Sequence, residues 1–283
     1  MTCSSHDGCA RRRAVATYRS VMPFTFFAHQ VPVLPVARKW PQASDGVALV
    51  IGSMAPDFAY VLQGSRFAVW AHGFPGVVTF CVPATVVVSW LVVRVLAPVV
   101  PSHLPQLGDS RLRDYREVAT HRFHVLGTPI CAFLGALSHV ALDHFTHEWG
   151  WFARHVDWYN QMLGHGPWLG RQWTPFRVVQ YVGHIGGTTL CVYLMWCYGR
   201  QRWMTARAAE IDDRSTSAST VLLSSCVAIG LFAAVAWVRL QPAGSASDIL
   251  RVAGGAFAGM TLGALAARLS LARDGRRAPA RNR

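Results

Sequence analysis

Three ionisable side chains spaced four residues apart, His139, Asp143 and His147, lie at the end of an apolar stretch of the sequence. If this stretch is helical, residues four apart lie on one face, and the three side chains form a single stripe. Two imidazoles and a carboxylate are ligands that zinc accepts. A charged Asp in the middle of a bilayer costs about 2.5–3.5 kcal/mol, so such residues usually face partners, cavities or ions. The alternative is an ordinary helix end with an interfacial carboxylate and exposed histidines.

Three residues in the N-terminal third of the chain are further candidate metal ligands: His29, Asp57 and His72. A lone histidine such as His29 is more often simply hydrogen-bonded than bound to a metal. Asp57 directly follows Pro56, and proline with an early carboxylate is also an ordinary helix start. Four polar residues are candidates for holding the ligands in place through outer contacts: Ser138, Thr146, Gln180 and His184.

The composition is that of a membrane protein. The chain has 283 residues, of which 52% are hydrophobic and 14% are charged, whereas soluble domains carry about 25% charged residues. The net charge of +13 comes almost wholly from arginines that lie in patches between apolar runs. Such patches are typical of topology determinants, so we expect the lipid bilayer and no nucleic acid as a partner. The seven cysteines form no Cys-x-x-Cys pair, which argues against a thiolate zinc site.

The apolar runs predict an all-α protein, a polytopic helical membrane bundle with five or six transmembrane segments. In addition to the five runs given next, a sixth apolar run, 45–62, is broken by Gly52, Ser53 and Pro56. The clear runs are 77–100, 127–145, 176–199, 220–240 and 249–271. The predicted organisation is a disordered leader at 1–21 with Met22 as an alternative translation start, a motif-bearing membrane domain at 22–200, a cytoplasmic loop at 201–219, two further transmembrane helices at 220–272 and a basic tail at 273–283.

The distribution of arginine predicts the orientation of these segments. Loops 101–126 and 200–219 and the C-terminal tail are rich in arginine, whereas 146–175, which is rich in tryptophan, and 241–248 are poor in basic residues. The positive-inside rule places the arginine-rich regions, including the C-terminus, in the cytoplasm. The predicted ligands then lie toward the outer face of the cytoplasmic membrane, and Asp57 joins them if 45–62 crosses outward. We therefore expect one shared site near the outer leaflet.

Four motifs, in this order along the chain, resemble those of an uncharacterised bacterial integral-membrane family whose members open with Met-Pro-Phe-Thr-Phe. The resemblance covers about residues 22–200 and implies a helical membrane protein. The motifs are Met22-Pro-Phe-Thr-Phe26, Gly52-Ser-Met-Ala-Pro-Asp57-Phe58, His72-Gly-Phe-Pro-Gly76, and Gly135-Ala-Leu-Ser-His139 continued by Asp143-His-Phe-Thr-His147.

The same histidines and aspartates are more weakly similar to those of bacterial inner-membrane metal-dependent hydrolases, and distantly to those of zinc-dependent phospholipase C. Two features depart from the hydrolase pattern. Asp57 is followed by Phe and Ala rather than by a second acid, and His72 lacks the Arg-Gly-x-Thr-His-Ser context. The similarity implies a set of metal ligands, to which His147 is added in this chain: His29, Asp57, His72, His139 and Asp143.

The leading functional hypothesis is a hydrolase that uses one or two divalent metal ions, with zinc favoured, on a phosphoester or similar lipid-linked substrate at the outer surface of the membrane. No Gly-x-Ser-x-Gly, Walker or His-Glu-x-x-His motif supports another catalytic class. Two alternatives remain open. One is a non-enzymatic membrane protein or a transporter with a proton relay. The other is a haem protein with His139 and His184 as axial ligands.

Overall fold

The computed structural model describes residues 25–41, 44–104, 112–161, 164–165, 172–200, 217–243 and 245–277. The predicted leader at 1–21, the start of the Met22 motif, almost all of the predicted loop at 201–219 and residues 278–283 of the basic tail lie outside these residues. All six predicted metal ligands lie within the described ranges.

The described residues are helical apart from turns and one antiparallel pair of two-residue strands. Short 3-10 segments cover Ala59–Leu62, Val100–His103 and Leu112–Thr120. The strands are β1 (Gly164–His165) and β2 (Gln172–Trp173). The helices are α1 (Thr25–Ala28), α2 (Leu34–Lys39), α3 (Gly46–Gly52), α4 (Ala55–Phe58), α5 (Phe74–Leu96, with π-helical turns at both ends), α6 (Gly127–Thr146), α7 (Trp151–His155), α8 (Asp157–Asn160), α9 (Pro175–Arg200), α10 (Ser217–Leu240) and α11 (Ser245–Arg277).

Three helices of the described chain are long and apolar enough to cross a membrane. They are Phe74–Leu96, Ser219–Leu240 and Ser247–Ser270. The predicted five or six transmembrane segments are therefore supported for three. Helices α6 and α9 form where spans were predicted, but polar and ionisable residues such as His139, Asp143 and His184 lower their apolar content.

The segment 45–62 is not one continuous helix. Helix α3 ends at Gly52, α4 begins at Ala55, and a 3-10 turn follows. With a rise of 1.5 Å per residue, the seven residues of α3 extend only about 10 Å, well short of the hydrocarbon thickness. The break follows the Gly-Ser and Pro residues of the sequence, and it turns the chain so that Asp57 faces the interior.

Glycines allow α3 and α6 to pack with their backbones in close contact. A Cβ on Gly52 would lie 2.5 Å from the carbonyl oxygen of Ala132. A Cβ on Gly135 would overlap the carbonyl oxygen of Leu49 and lie 2.8 Å from the Ser53 nitrogen. Because no larger residue fits at either position, this contact fixes the break after α3 against the middle of α6.

The start of α6 is held to α3 by the buried carboxylate of Asp45. Asp45 is the N-cap of α3, and its Oδ1 accepts a hydrogen bond from the Ala48 N–H at 3.0 Å. Its Oδ2 accepts one from the Thr128 hydroxyl at 2.5 Å, and His121 Nε2 lies 3.0 Å from Oδ1. Burial favours the neutral acid, but the hydrogen bonds from His121, Thr128 and Ala48 outweigh it, so the pKa of Asp45 lies below its usual value.

Helices α10 and α11 form an antiparallel hairpin that packs through small residues. A Cβ on Gly259 would lie 2.8 Å from the Val227 Cα, and one on Gly255 would meet the side chain of Ala234.

Arg251 ties this hairpin to the segment after α4. Its side chain is buried, and the guanidinium donates to the carbonyl oxygens of Val61, Gln63 and Gln241 and lies over the ring of Trp237. A buried cation thus joins the C-terminal hairpin to the segment that carries Asp57.

Candidate metal centre

The structure brings the six predicted ligands into one cluster. Five of them are buried, with between 0% and 6% of their surface exposed, and the side chain of the sixth, His147, is 23% exposed. They come from separate parts of the chain: His29 from the turn after α1, Asp57 from α4, His72 from the turn before α5, His139 and Asp143 from α6, and His147 from the residue that ends α6.

Helix α6 provides the centre of the cluster, as the four-residue spacing predicts. His139 and Asp143 lie on the face of α6 that is turned toward the break after α3, which the glycine contact holds against the helix. At the end of α6 the backbone becomes extended at His147, whose N–H still donates to the carbonyl oxygen of Asp143 at 3.0 Å. This turn returns the His147 ring toward the same carboxylate.

Asp143 is in contact with four imidazoles. Its Oδ2 lies 3.3 Å from His72 Nε2 and 3.3 Å from His139 Nε2. Its Oδ1 lies 3.3 Å from His147 Nδ1 and 3.6 Å from His29 Nε2. The two carboxylate oxygens therefore face different pairs of histidines.

Asp57 approaches two of the same rings with one oxygen. Its Oδ1 lies 3.6 Å from His139 Nε2 and 3.7 Å from His72 Nε2. Oδ2 is buried without a hydrogen-bond partner among the described residues. One atom each of His72, His139 and Asp143, and likewise of His29, Asp57 and His139, lie within 4.8 Å of one another, which is close enough to hold a metal ion.

His139 has a defined tautomer. Its Nδ1 lies 2.8 Å from the backbone carbonyl oxygen of Ser53, which can only accept, so Nδ1 carries the proton. In the neutral ring, Nε2 then carries the lone pair, and it lies 3.3 Å from Asp143 Oδ2 and 3.6 Å from Asp57 Oδ1. A donated N–H of this kind is the usual outer contact of a metal-binding histidine. The Ser53 carbonyl was not predicted from the sequence, where only the polar side chains were considered.

Several buried polar atoms of the cluster lack a hydrogen-bond partner among the described residues. This is unusual, because the great majority of buried polar side-chain atoms are satisfied and each exception requires an explanation. These atoms are His29 Nδ1, Asp57 Oδ2, His72 Nε2, His139 Nε2, Asp143 Oδ1 and both ring nitrogens of His184.

His184, predicted as a residue that holds the ligands in place, lies beside the rings of the cluster. It lies on α9, is 3% exposed, and its ring centroid is 6.1 Å from that of His29 and 6.2 Å from that of His147. Neither of its ring nitrogens has a hydrogen-bond partner among the described residues. The sequence suggested a role near the site but could not show that the ring would be unpaired.

The other three predicted outer contacts differ in position. Thr146 Oγ1 lies 3.0 Å from His147 Nδ1 and contacts the site as predicted. The Ser138 hydroxyl instead donates to the carbonyl oxygen of Gly135, within its own helix. Gln180 is half-buried on α9 and forms no hydrogen bond or ion pair with the cluster in the described part of the chain.

Aromatic rings surround the more exposed side of the cluster. Trp149 lies 5.4 Å from the His147 ring and 5.7 Å from the His72 ring, between centroids. Trp70 and Tyr60 lie 5.6 Å and 5.5 Å from His72. The sequence predicted a tryptophan-rich surface loop here but did not show that one of its indoles packs on the histidines.

His147 lies at the border between the buried cluster and solvent. Burial favours its neutral form, but the Asp143 carboxylate, whose Oδ1 lies 3.3 Å from His147 Nδ1, outweighs burial, so the pKa of His147 lies above its usual value. The arrangement as a whole offers seven nitrogen- or oxygen-bearing side chains around one buried volume.

Comparison with known proteins gives one match. A family model described as a domain of unknown function, DUF4184, matches residues 22–269. This range includes the last two long helices, which the motif resemblance over 22–200 left out. No curated protein and no solved structure matches the chain.

Proposed function

Because the chain belongs to the DUF4184 family, whose function is unknown, we propose a function from the site alone: the protein is a membrane protein that binds a divalent metal, with zinc favoured, and hydrolyses a phosphoester or similar lipid-linked bond at the outer face of the bacterial cytoplasmic membrane. The carrying observation is the spacing of the donor atoms. The nitrogen–oxygen distances are 3.3–3.7 Å, longer than good hydrogen bonds. Ligands 2.0–2.1 Å from a tetrahedral zinc ion are themselves about 3.3 Å apart.

The donor set fits zinc. His72 Nε2, His139 Nε2, Asp57 Oδ1 and Asp143 Oδ2 are two imidazole nitrogens and two carboxylate oxygens, which borderline metals accept. Two negative carboxylates in a buried site are expensive without a compensating cation. A bound zinc ion would supply that positive charge and lower the pKa of its water to about 7, which provides a nucleophile at neutral pH.

The chain's own residues then have defined tasks. The Ser53 carbonyl holds the His139 ring with Nε2 toward the metal position. Thr146 contacts His147, and Trp70 and Trp149 exclude water from one side of the cluster through their ring contacts with His72 and His147. A reacting group would enter beside the partly exposed His147.

A substrate at the membrane surface is supported by the position of the cluster. His72 lies two residues before the start of the candidate span Phe74–Leu96, and exposed Phe67, Trp70 and Phe74 lie next to it. Exposed aromatic side chains are typical of the bilayer–water boundary. The arginine-rich loops predict that this boundary is the outer one, with the C-terminus in the cytoplasm.

The test is elemental analysis of detergent-purified protein together with a hydrolysis assay. We expect at least one zinc or manganese ion per chain and hydrolysis of bis-p-nitrophenyl phosphate or of phospholipid in mixed micelles. His139→Ala and Asp143→Ala should each lose metal and activity. His155→Ala removes a histidine that is exposed on α7 and bonds only to its own helix, so it should retain both. Full metal content in the first two variants would refute the ligand assignment, and metal without hydrolysis would refute the activity.

The geometry favours the metal centre over a haem protein. A haem iron on His139 would have to approach Nε2, where carboxylate oxygens of Asp57 and Asp143 lie at 3.6 and 3.3 Å, and the His29 ring is stacked on His139 at 3.7 Å. A proton relay also uses buried histidines and carboxylates. It predicts no bound metal, so the elemental analysis separates the two.

A further inference from the structure

The cluster contains more donors than one metal ion uses. A zinc site takes three or four protein ligands, whereas seven side chains meet here, six of them almost completely buried. Imidazoles and carboxylates buried without partners destabilise a fold, so a surplus of them requires an explanation. The seven are His29, Asp57, His72, His139, Asp143, His147 and His184.

The two oxygens of Asp143 divide these donors into two sets. His72 and His139 face Oδ2, at 3.3 Å each. His29 and His147 face Oδ1, at 3.6 and 3.3 Å. The geometry points to a pair of metal ions bridged by the Asp143 carboxylate, with one ion on each oxygen. This inference rests on the proposed metal binding and extends it to a two-metal site.

The contacts of His139 determine which of the two ions it binds. It is shared by the two groups of atoms that could each hold a metal, His72–His139–Asp143 and His29–Asp57–His139. Its Nδ1 is occupied by the Ser53 carbonyl, so only Nε2 can bind, and it can bind one ion. Nε2 lies 3.3 Å from Asp143 Oδ2 and 3.6 Å from Asp57 Oδ1, which places it in the first set.

The first ion then has four ligands: His72, His139, Asp57 and Oδ2 of Asp143. The second set consists of His29, His147 and Oδ1 of Asp143, with His184 as the remaining donor. His184 has both nitrogens unpaired among the described residues and lies beside the rings of His29 and His147. When only the first ion is bound, His29, His147 and His184 do not act as metal ligands.

The second ion would lie nearer to solvent, because the side chain of His147 is 23% exposed whereas those of His72 and His139 are 3% and 0% exposed. In two-metal hydrolases, ions about 3.5–4 Å apart bind the attacking and the leaving oxygen of a phosphoester. The solvent-facing ion is therefore the one that a substrate would reach first. A phosphoester, with two oxygens to bind, is the substrate class that fits this pair.

The test measures how many ions the full-length, detergent-purified chain binds, using Mn²⁺ or Zn²⁺ alone. We expect two ions per wild-type chain, and one in a His29→Ala/His147→Ala double variant, which keeps the first set intact. His155→Ala is the control and should bind two. Electron paramagnetic resonance of the Mn²⁺-loaded protein should show an exchange-coupled pair in the wild type and an uncoupled ion in the double variant.

The possible results distinguish the bridged metal pair from the metal-dependent function proposed above. One ion per wild-type chain, without exchange coupling, would overturn the bridged pair and leave the metal-dependent function standing. No ion would overturn both. A wild-type chain with two uncoupled ions would show that Asp143 does not bridge. Gel filtration of the double variant verifies that it remains folded, and Asp143→Asn, which keeps the side-chain shape, should lose the coupling even if the fold is sensitive to larger changes.

Discussion

Two hydroxyl residues of α6 show how closely an outer contact depends on position. Thr146 and Ser138 were equally good candidates in the sequence, since both flank predicted ligands. In the structure only Thr146 reaches a ligand, with Oγ1 at 3.0 Å from His147 Nδ1, whereas Ser138 bonds to a carbonyl oxygen of its own helix. Ser138 precedes His139 inside the helix and faces away from it. Thr146 precedes His147 at the end of the helix, where the backbone becomes extended and brings the two side chains together.

Replacing these two hydroxyls should therefore have different effects. Thr146→Val should strengthen metal binding by up to about tenfold, because the Thr146 hydroxyl lies 3.0 Å from His147 Nδ1, the nitrogen that faces Asp143 Oδ1, and its hydrogen bond would no longer compete with the metal. Ser138→Ala should leave the affinity unchanged. Titration with Zn²⁺ against a competing chelator measures both. Equal affinities in the two variants would contradict the role given to Thr146.

At the scale of the elements, the site depends on the close contact of α3 and α6. The glycines at this contact bring the Ser53 carbonyl to His139, and no side chain larger than hydrogen fits between the helices. Gly135→Ala should force the two backbones apart and cost about 1–3 kcal/mol of stability. It should also reduce metal content, because the tautomer of His139 would no longer be fixed.

Gly183→Ala is the matched control for this prediction. It lies on α9, where an added Cβ would meet nothing within 4 Å. Alanine is the better helix former, so this variant should be as stable as the wild type or more stable by up to about 1 kcal/mol. Thermal unfolding in detergent compares the two. If both variants unfold at the wild-type temperature, the backbone contact is less tight than described.

Asp45 provides the second element-scale prediction, because it holds α3 to the start of α6. Its pKa is lowered in the folded state, so the charged form contributes stability above its unfolded pKa of about 3.9, and this is lost as the pH falls through the folded value. Asp45→Ala should cost about 1–3 kcal/mol at pH 7 through the lost cap and the unpaired Thr128 hydroxyl.

The difference between wild type and Asp45→Ala should narrow as the pH falls below about 4, because the unfolded wild-type chain then binds a proton at Asp45 that the folded protein, with its lower pKa, does not yet bind. Melting temperatures of the two proteins at pH 7 and pH 3.5 measure this. A constant difference across that range would mean that the charge of Asp45 contributes nothing.

For the whole molecule, the orientation in the membrane determines which compartment the site faces. The arginine-rich loops predict a cytoplasmic C-terminus. A green fluorescent protein fused after Arg283 should therefore fluoresce, and alkaline phosphatase at the same position should be inactive. Alkaline phosphatase fused after Asn160, which is exposed beyond the end of α6, should be active. The reverse pattern would place the site on the cytoplasmic side.

The sequence predicted that the histidines and aspartates of the cluster lie close together, and it also predicted the break at Pro56. His139, Asp143 and His147 could be placed on one face because helical spacing is local, and the Pro56 break could be read from its residues. The ring contacts of His184 and Trp149, the Ser53 carbonyl and the Asp45–Thr128 pair depend on which distant segments meet, which no local pattern encodes. Of the five or six predicted spans, three are supported by long apolar helices in the described chain, and the ionisable residues of the cluster make α6 and α9 less apolar.

The position of Trp149 gives the molecule an intrinsic optical sensor. Its indole lies within 5.7 Å of the His72 and His147 rings, between centroids, so a paramagnetic Co²⁺ ion held by those rings would quench its emission. Wild-type fluorescence should fall as Co²⁺ is added. Because Trp70 lies as close to the His72 ring as Trp149 does, most of this decrease should disappear in a Trp70→Phe/Trp149→Phe double variant but remain in Trp158→Phe, whose indole is exposed on α8. The binding and release of metal ions at the site could then be followed over time in intact membranes without an added label.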